Sequence, residues 1–206
     1  MTPSAPEPLD DPTHDRDPGR KAYSQCGEDM IIDFVFTAIQ HFNPTYLDLG
    51  AHHPRLYSNT QYFYQKGSRG VNVEADPDLI GLFKKERPLD INLNVGVGVG
   101  GADTLPFYVM STRTLNTFSR EEAERCIAMG THHIERVVDV PLLNVNEIIA
   151  RHFDGAAPDF LSVDVEGLDY EIITSIDLQN YRPIVICVET ITFSESFDGK
   201  KIKSIE

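Results

Sequence analysis

The sequence predicts a doubly wound, mostly parallel α/β sheet, and three observations carry that prediction. Short apolar runs of strand length alternate with stretches of helix-like patterning. The first run, Tyr46-Leu47-Asp48-Leu49, breaks at Gly50, and the next, Gly70-Val71-Asn72-Val73, closes on Glu74, 24 positions beyond that glycine. The last, Ile184-Val185-Ile186-Cys187-Val188, is continuously apolar, as a strand covered on both faces must be. A strand that ends in glycine, followed by one that ends in a carboxylate, is how an open α/β sheet holds a nucleoside. Glycine admits a close approach, and the carboxylate can accept hydrogen bonds from both ribose hydroxyls. The spacing points to an adenosine derivative as ligand.

Composition narrows the class further. A chain of 206 residues with 41% hydrophobic and 24% charged residues can bury one proper core. Neither a secretion signal nor an apolar run of membrane-spanning length is present, so the default location is cytoplasmic. The net charge of −14 argues against nucleic acid as a partner, because phosphate neutralisation needs clustered Lys and Arg. A small neutral or sugar-like substrate fits better. Cys26, Cys126 and Cys187 are too scattered for a disulfide framework or a zinc site, and Cys187 inside an apolar strand reads as a buried, inert thiol.

Residues 1–22 read as a disordered leader: the first 20 hold five prolines and five acidic residues, with Leu9 as the one sizeable apolar group. Residues 23–206 form the predicted domain. Met30, Phe34, Val35 and Ala38, with Ile31 and Ile39 beside them, predict the buried stripe of a first helix, which Asn43-Pro44 stops. Strand one is expected over 45–49, a helix over 57–65, strand two over 70–74. Asp76-Pro77 then starts a helix, Asp as N-cap and Pro at the first helical position, with Leu79, Ile80, Leu82 and Phe83 buried. Strand three is expected over 90–95. Ser119 with Glu122 and Asn144 with Glu147 each mark a helix start, with a short strand around 137–140 between them. Strand four runs over 159–164, a helix passes through Ile172 and Ile173, and strand five covers 184–189.

Gly96-Val97-Gly98-Val99-Gly100-Gly101 satisfies the spacing of a dinucleotide-binding loop. Its context is wrong, because Thr104 to Val109 is strand-like and no helix N-terminus follows to face a pyrophosphate. The stretch is read as a flexible connection. With no Tyr-x-x-x-Lys pair either, a nicotinamide enzyme is the weakest reading.

Five motifs in order, Tyr23-Ser24-Gln25-x-x-Glu28-Asp29, Leu47-Asp48-Leu49-Gly50-Ala51, Val73-Glu74-Ala75-Asp76-Pro77, Asn116-Thr117-Phe118-Ser119 and Leu161-Ser162-Val163-Asp164-Val165-Glu166-Gly167, resemble the FkbM family of S-adenosylmethionine-dependent methyltransferases. The resemblance covers about residues 23–189. It implies a class I methyltransferase (Rossmann-like) fold and O-methylation of a hydroxyl on a sugar, glycan or natural-product acceptor. By position, Asp48, Gly50, Ala51 and His52 would border the methionine part of S-adenosyl-L-methionine. Glu74 and Ala75 would hold the ribose, Asn94 and Val95 would lie near adenine, and Asp164 and Glu166 would sit where cofactor and acceptor meet.

Two departures accompany the resemblance. The first glycine loop continues as His52-His53-Pro54, stiffer and bulkier than the family's further glycine. Class I methyltransferases generally add two more strands, whereas this chain ends at Glu206 with 194–206 resembling the approach to another helix. The C-terminal strands are therefore expected to be truncated, and an open sheet edge invites a homodimer.

Methyl transfer to an alcohol needs close, collinear reactants and removal of the hydroxyl proton by a base or a metal. Asp164 is the expected residue at the reacting centre, with Glu166 or a histidine of the first loop, His52 or His53, assisting. A divalent metal held by Asp164 and Glu189 is the minority expectation, and His132-His133 is read as loop scenery. The alternative to an enzyme is a catalytically silent cofactor-binding or interaction module.

Overall fold

The computed structural model describes residues 20–165 and 168–189. The leader at 1–19, Glu166, Gly167 and everything from 190 onward, including the expected helix approach at 194–206, lie outside the described residues. Eight strands and six α-helices are described: α1 (Glu28–Ala38), β1 (Tyr46–Leu49), α2 (Gln61–Lys66), β2 (Gly70–Val73), α3 (Pro77–Glu86), β3 (Ile91–Leu93), β4 (Gly96–Val97), β5 (Thr104–Met110), α4 (Arg120–Ala128), β6 (Ile134–Leu143), α5 (Val145–His152), β7 (Phe160–Val163), α6 (Asp169–Ser175) and β8 (Val185–Val188). Among the described residues no helix is long and apolar enough to cross a membrane.

Five strands pair in parallel in the order β3-β2-β1-β7-β8. With helices packed on the sheet, this is the Rossmann-like α/β architecture the alternating pattern predicts. The two faces of the sheet differ in chemistry. Leu47, Leu49, Val71, Val73, Leu161 and Val163 pack against Val145, Ile148 and Ile149 of α5 and Ile172 of α6. On the other face Tyr46 and Phe160 meet Ile32 and Phe36 of α1 and Phe63 of α2, but the neighbouring strand positions are Asp48, Asn72 and Ser162, all buried. A buried polar layer needs internal partners: Ser162 accepts from Asn59, Asn72 donates to Asp90 and Asn92, and Arg87 at the end of α3 donates to Asn72 and to the side chains around Asp48.

Arg87 is fully buried. Its guanidinium donates to the Pro54 carbonyl, Ser58 Oγ, Thr60 Oγ1, Gln61 Oε1 and Asn72 Oδ1 at 2.6–3.3 Å. Thr60 Oγ1 in turn donates to Asp48 Oδ2 at 2.6 Å. Tyr46 OH and Asn72 Nδ2 both reach Asp90. The loop at 51–60 is thus tied to the sheet through Arg87 and through the direct Thr60–Asp48 and Asn59–Ser162 hydrogen bonds.

A second, three-stranded sheet of order β4-β6-β5 is inserted between β3 and β7. β5 and β6 form an antiparallel ribbon, and β4 pairs in parallel with the end of β6. The strand expected around 137–140 extends over ten residues. The expected flexible connection at 96–101 is corrected in part, since Gly96 and Val97 form β4. Glycine is needed there for contact: a Cβ on Gly96 would stand 2.4 Å from the Phe118 ring and 2.7 Å from Leu142.

Three other expectations change. The buried face of α1 is Asp29, Ile32, Asp33 and Phe36, while Ile31, Phe34 and Ile39 are exposed. Asp29 and Asp33 turn inward because each has partners: Asp29 accepts from Tyr23 N and Ser24 Oγ, and Asp33 pairs with Arg20 and Lys66. The helix expected over 57–65 starts only at Gln61, because Tyr57 lies in the left-handed region with φ of 56°. β8 is only partly covered among the described residues: Val185 and Cys187 pack against the α1–α2 layer and Val188 against the α5–α6 layer, while Ile184 and Ile186 are exposed.

Candidate functional site

The carboxyl ends of β1, β2, β7 and β8 open into a cavity of about 300 Å³, roofed by the inserted sheet and the loop before α4. Gly50 closes β1 with φ of 76°. A Cβ there would lie 1.7 Å from the Asp164 carbonyl oxygen, so glycine is required for β1 and β7 to pass each other at the cavity floor. Both the Gly50 and Ala51 amides donate to the Val73 carbonyl at 3.0 Å, which locks the turn after β1 against the end of β2. His52 follows with φ of 52°, a strained value for a non-glycine residue.

That strain is held by Glu74. Its Oε2 accepts from His52 N at 2.8 Å and its Oε1 from Asp76 N at 2.7 Å. Each oxygen keeps further lone-pair capacity. Burial nevertheless dominates the carboxyl's titration and pushes it up to about 7, against the lowering effect of the two amides. Asn94, expected near adenine, does not line the cavity: its amide donates to the Glu74 and Ala75 carbonyls at 2.9 and 3.0 Å and fixes that turn from behind. Val95 does line it, with Ala75, Leu79, Val97, Phe107 and Phe118 as one apolar wall. The Phe107 and Phe118 rings pack with centroids 4.8 Å apart.

The opposite wall is acidic. Asp48, Asp164 and Glu189 line it from β1, β7 and β8. Burial pushes Asp48 upward, and burial together with Asp169 and Asp48 carries Asp164 up to about 6. A hydrogen bond between the Asp164 and Glu189 side chains opposes that rise. Among the described residues no group of three or more His, Cys, Asp or Glu side chains is placed to hold a metal ion. Burial, with His53 behind it, lowers the titration of His52 and favours its neutral form.

His53, expected to assist at the reacting centre, is placed differently. Its Nδ1 accepts from Arg55 N and Leu56 N, capping the next turn, and the residue does not line the cavity. Glu166 lies outside the described residues. Gln25, Tyr57, Asn59, Arg113, Thr114 and Asn116 also line the cavity, Gln25 and Asn116 from two of the family motifs. Gln25 is placed by the Ser24–Asp29 knot, and Asn59 donates to Ser162 Oγ at 3.1 Å. The burial that raises Cys187 to about 11 agrees with an inert thiol.

A family model described as the methyltransferase FkbM domain matches residues 48–206. No curated protein and no solved structure matches the chain.

Proposed function

The chain belongs to the FkbM methyltransferase family, and from that premise we propose that it uses S-adenosyl-L-methionine to methylate a hydroxyl of a sugar, glycan or natural-product acceptor. The observation that carries the proposal is the convergence of Gly50, Glu74 and Asp164 on one cavity with an apolar wall on one side and carboxylates on the other. The residues fit the cofactor's chemistry. A flat adenine suits the Val95, Phe107 and Phe118 wall, and a ribose diol suits the free lone pairs of Glu74. The cationic sulfonium and ammonium suit the Asp48, Asp164 and Glu189 wall.

When bound, the cofactor supplies a methyl carbon made electrophilic by the sulfonium. Glu74 accepts the ribose hydroxyls and holds the nucleoside against the strand ends. The apolar wall packs on the adenine and excludes water from that end of the cavity. Asp164, raised to about 6 yet largely ionised at neutral pH, takes the proton at its carboxylate oxygen as the acceptor hydroxyl attacks. His52, neutral, stands at the Glu74 end of the site, where its amide donates to the Glu74 carboxylate. Amide and hydroxyl groups at the rim, Gln25, Tyr57 and Asn59, suit a polyhydroxylated acceptor.

Transfer of labelled methyl from S-adenosylmethionine to a panel of hydroxylated acceptors tests this reading. Product carrying an O-methyl group, with Asp164→Asn slower by about 100-fold or more, is the expected result. Methylation confined to amines or thiols, or an undiminished rate in Asp164→Asn, contradicts it.

A further inference from the structure

We propose that Asp76 is a positioning residue that clasps the outer cavity wall to the turn carrying Glu74. Asp76 is fully buried and does not line the cavity. Its Oδ1 accepts from Asp78 N at 2.9 Å and caps α3. Its Oδ2 reaches across to the loop before α4, accepting from Asn116 Nδ2 at 3.0 Å and Arg113 Nη1 at 3.1 Å. Asn116 and Arg113 both line the cavity. The Asn116 amide is fixed in orientation, because its Oδ1 accepts from Met110 N at 2.8 Å. On the other side Asp76 N donates to Glu74 Oε1. A continuous chain therefore runs from Glu74 through Asp76 and Asn116 to the end of β5.

A helix cap alone does not require a buried charge, since a neutral Asn or Ser caps as well. Burial of this carboxylate is compensated by hydrogen-bond donors from a segment nearly forty residues later in the chain, where Arg113 stands, with the Arg136 guanidinium of β6 farther off at 3.7 Å. The clasp thus joins two segments that the sequence separates, and the shape of the cavity depends on it.

Asp76→Asn separates the clasp from the cap. The substituted amide keeps an oxygen for Asp78 N but turns an NH₂ group toward two donors, Asn116 Nδ2 and Arg113 Nη1. The double variant Asp76→Asn/Asn116→Asp restores a donor–acceptor pair with its direction reversed, and the carboxylate it places at position 116 can still accept from Met110 N. Two readouts apply: hydrogen exchange of the peptide covering 110–118 against that covering α3, and binding of S-adenosylhomocysteine by calorimetry, the latter resting on the function proposed above.

The expected result for Asp76→Asn is exchange about tenfold faster over 110–118 with α3 unchanged, and affinity about tenfold weaker, both recovered in the double variant. Unchanged exchange over 110–118 overturns the proposal, as does equal loosening of α3 and the loop that the double variant fails to restore. If Asp76→Asn does not fold, Asn116→Asp and the double variant decide, and a double variant no better than Asn116→Asp overturns it. A wild type that ignores S-adenosylhomocysteine, while exchange follows the expected pattern, removes the cofactor reading and leaves the clasp standing.

Discussion

Gly50 and Glu74 show how much chemistry single positions carry. Glycine at position 50 permits close approach of a ligand, and the structure adds an intramolecular reason for it: the Asp164 carbonyl occupies the space of a side chain. Gly50→Ala combines that collision with a φ of 76°, so a loss of about 3 kcal/mol or more in unfolding free energy is expected from chemical denaturation; an unchanged denaturation midpoint would show that the strands can part. Glu74 yields a pH signature with a definite sign. Its folded-state titration near 7 lies above the unfolded value of 4.5, so its contribution favours the native state below about pH 4.5 and is lost as pH rises through about 7. In the proposed function the ribose hydroxyls donate to the ionised carboxylate, so nucleoside binding would expel that proton. Calorimetry of S-adenosylhomocysteine near pH 6 in buffers of different ionisation heat should register proton release, with affinity falling as pH drops below about 7. Affinity that is flat from about pH 5.5 to 8 would remove Glu74 from the ribose. Arg87 was illegible in sequence, because a lone arginine after a helix carries no pattern; its five acceptors come from 54 to 72 and meet only in the fold.

At the scale of elements, the N-caps were readable because capping is local. Asp76, Ser119 and Asn144 each accept the backbone N–H their motifs imply, from Asp78, Glu122 and Asn146. The phase of α1 was not readable by hydrophobicity, because its inward face carries two carboxylates whose partners, Tyr23, Ser24, Arg20 and Lys66, lie on other segments. Phe36, 2% exposed, and Phe34, 70% exposed, separate the two phases. Phe36→Ala should cost about 3–5 kcal/mol, whereas Phe34→Ser should fall within about 0.5 kcal/mol of wild type. The reverse order in denaturation would restore the stripe that sequence periodicity suggests. β4 escaped notice for a related reason: a two-residue strand has no periodicity, and its glycine is explained by Phe118 and Leu142, distant in sequence.

For the whole molecule, the alternation of strand and helix patterns was sufficient to predict the parallel sheet, and the motif order was sufficient to indicate the family whose model matches residues 48–206. Two of the three strands of the inserted sheet, β5 and β6, were legible but not their place as a roof, since the packing of Phe107, Val109 and Val140 on Ala75 depends on long-range contacts. The cavity has an apolar part under that roof and a carboxylate part at the ends of β1, β7 and β8, and the proposed function depends on one cofactor spanning the two. The most direct test is calorimetric titration of the wild type and Glu74→Gln with S-adenosylhomocysteine. The account predicts saturable 1:1 binding to the wild type and a loss of about 10- to 100-fold in the variant with its fold intact. Equal affinity in both proteins, or no binding to the wild type, would contradict it.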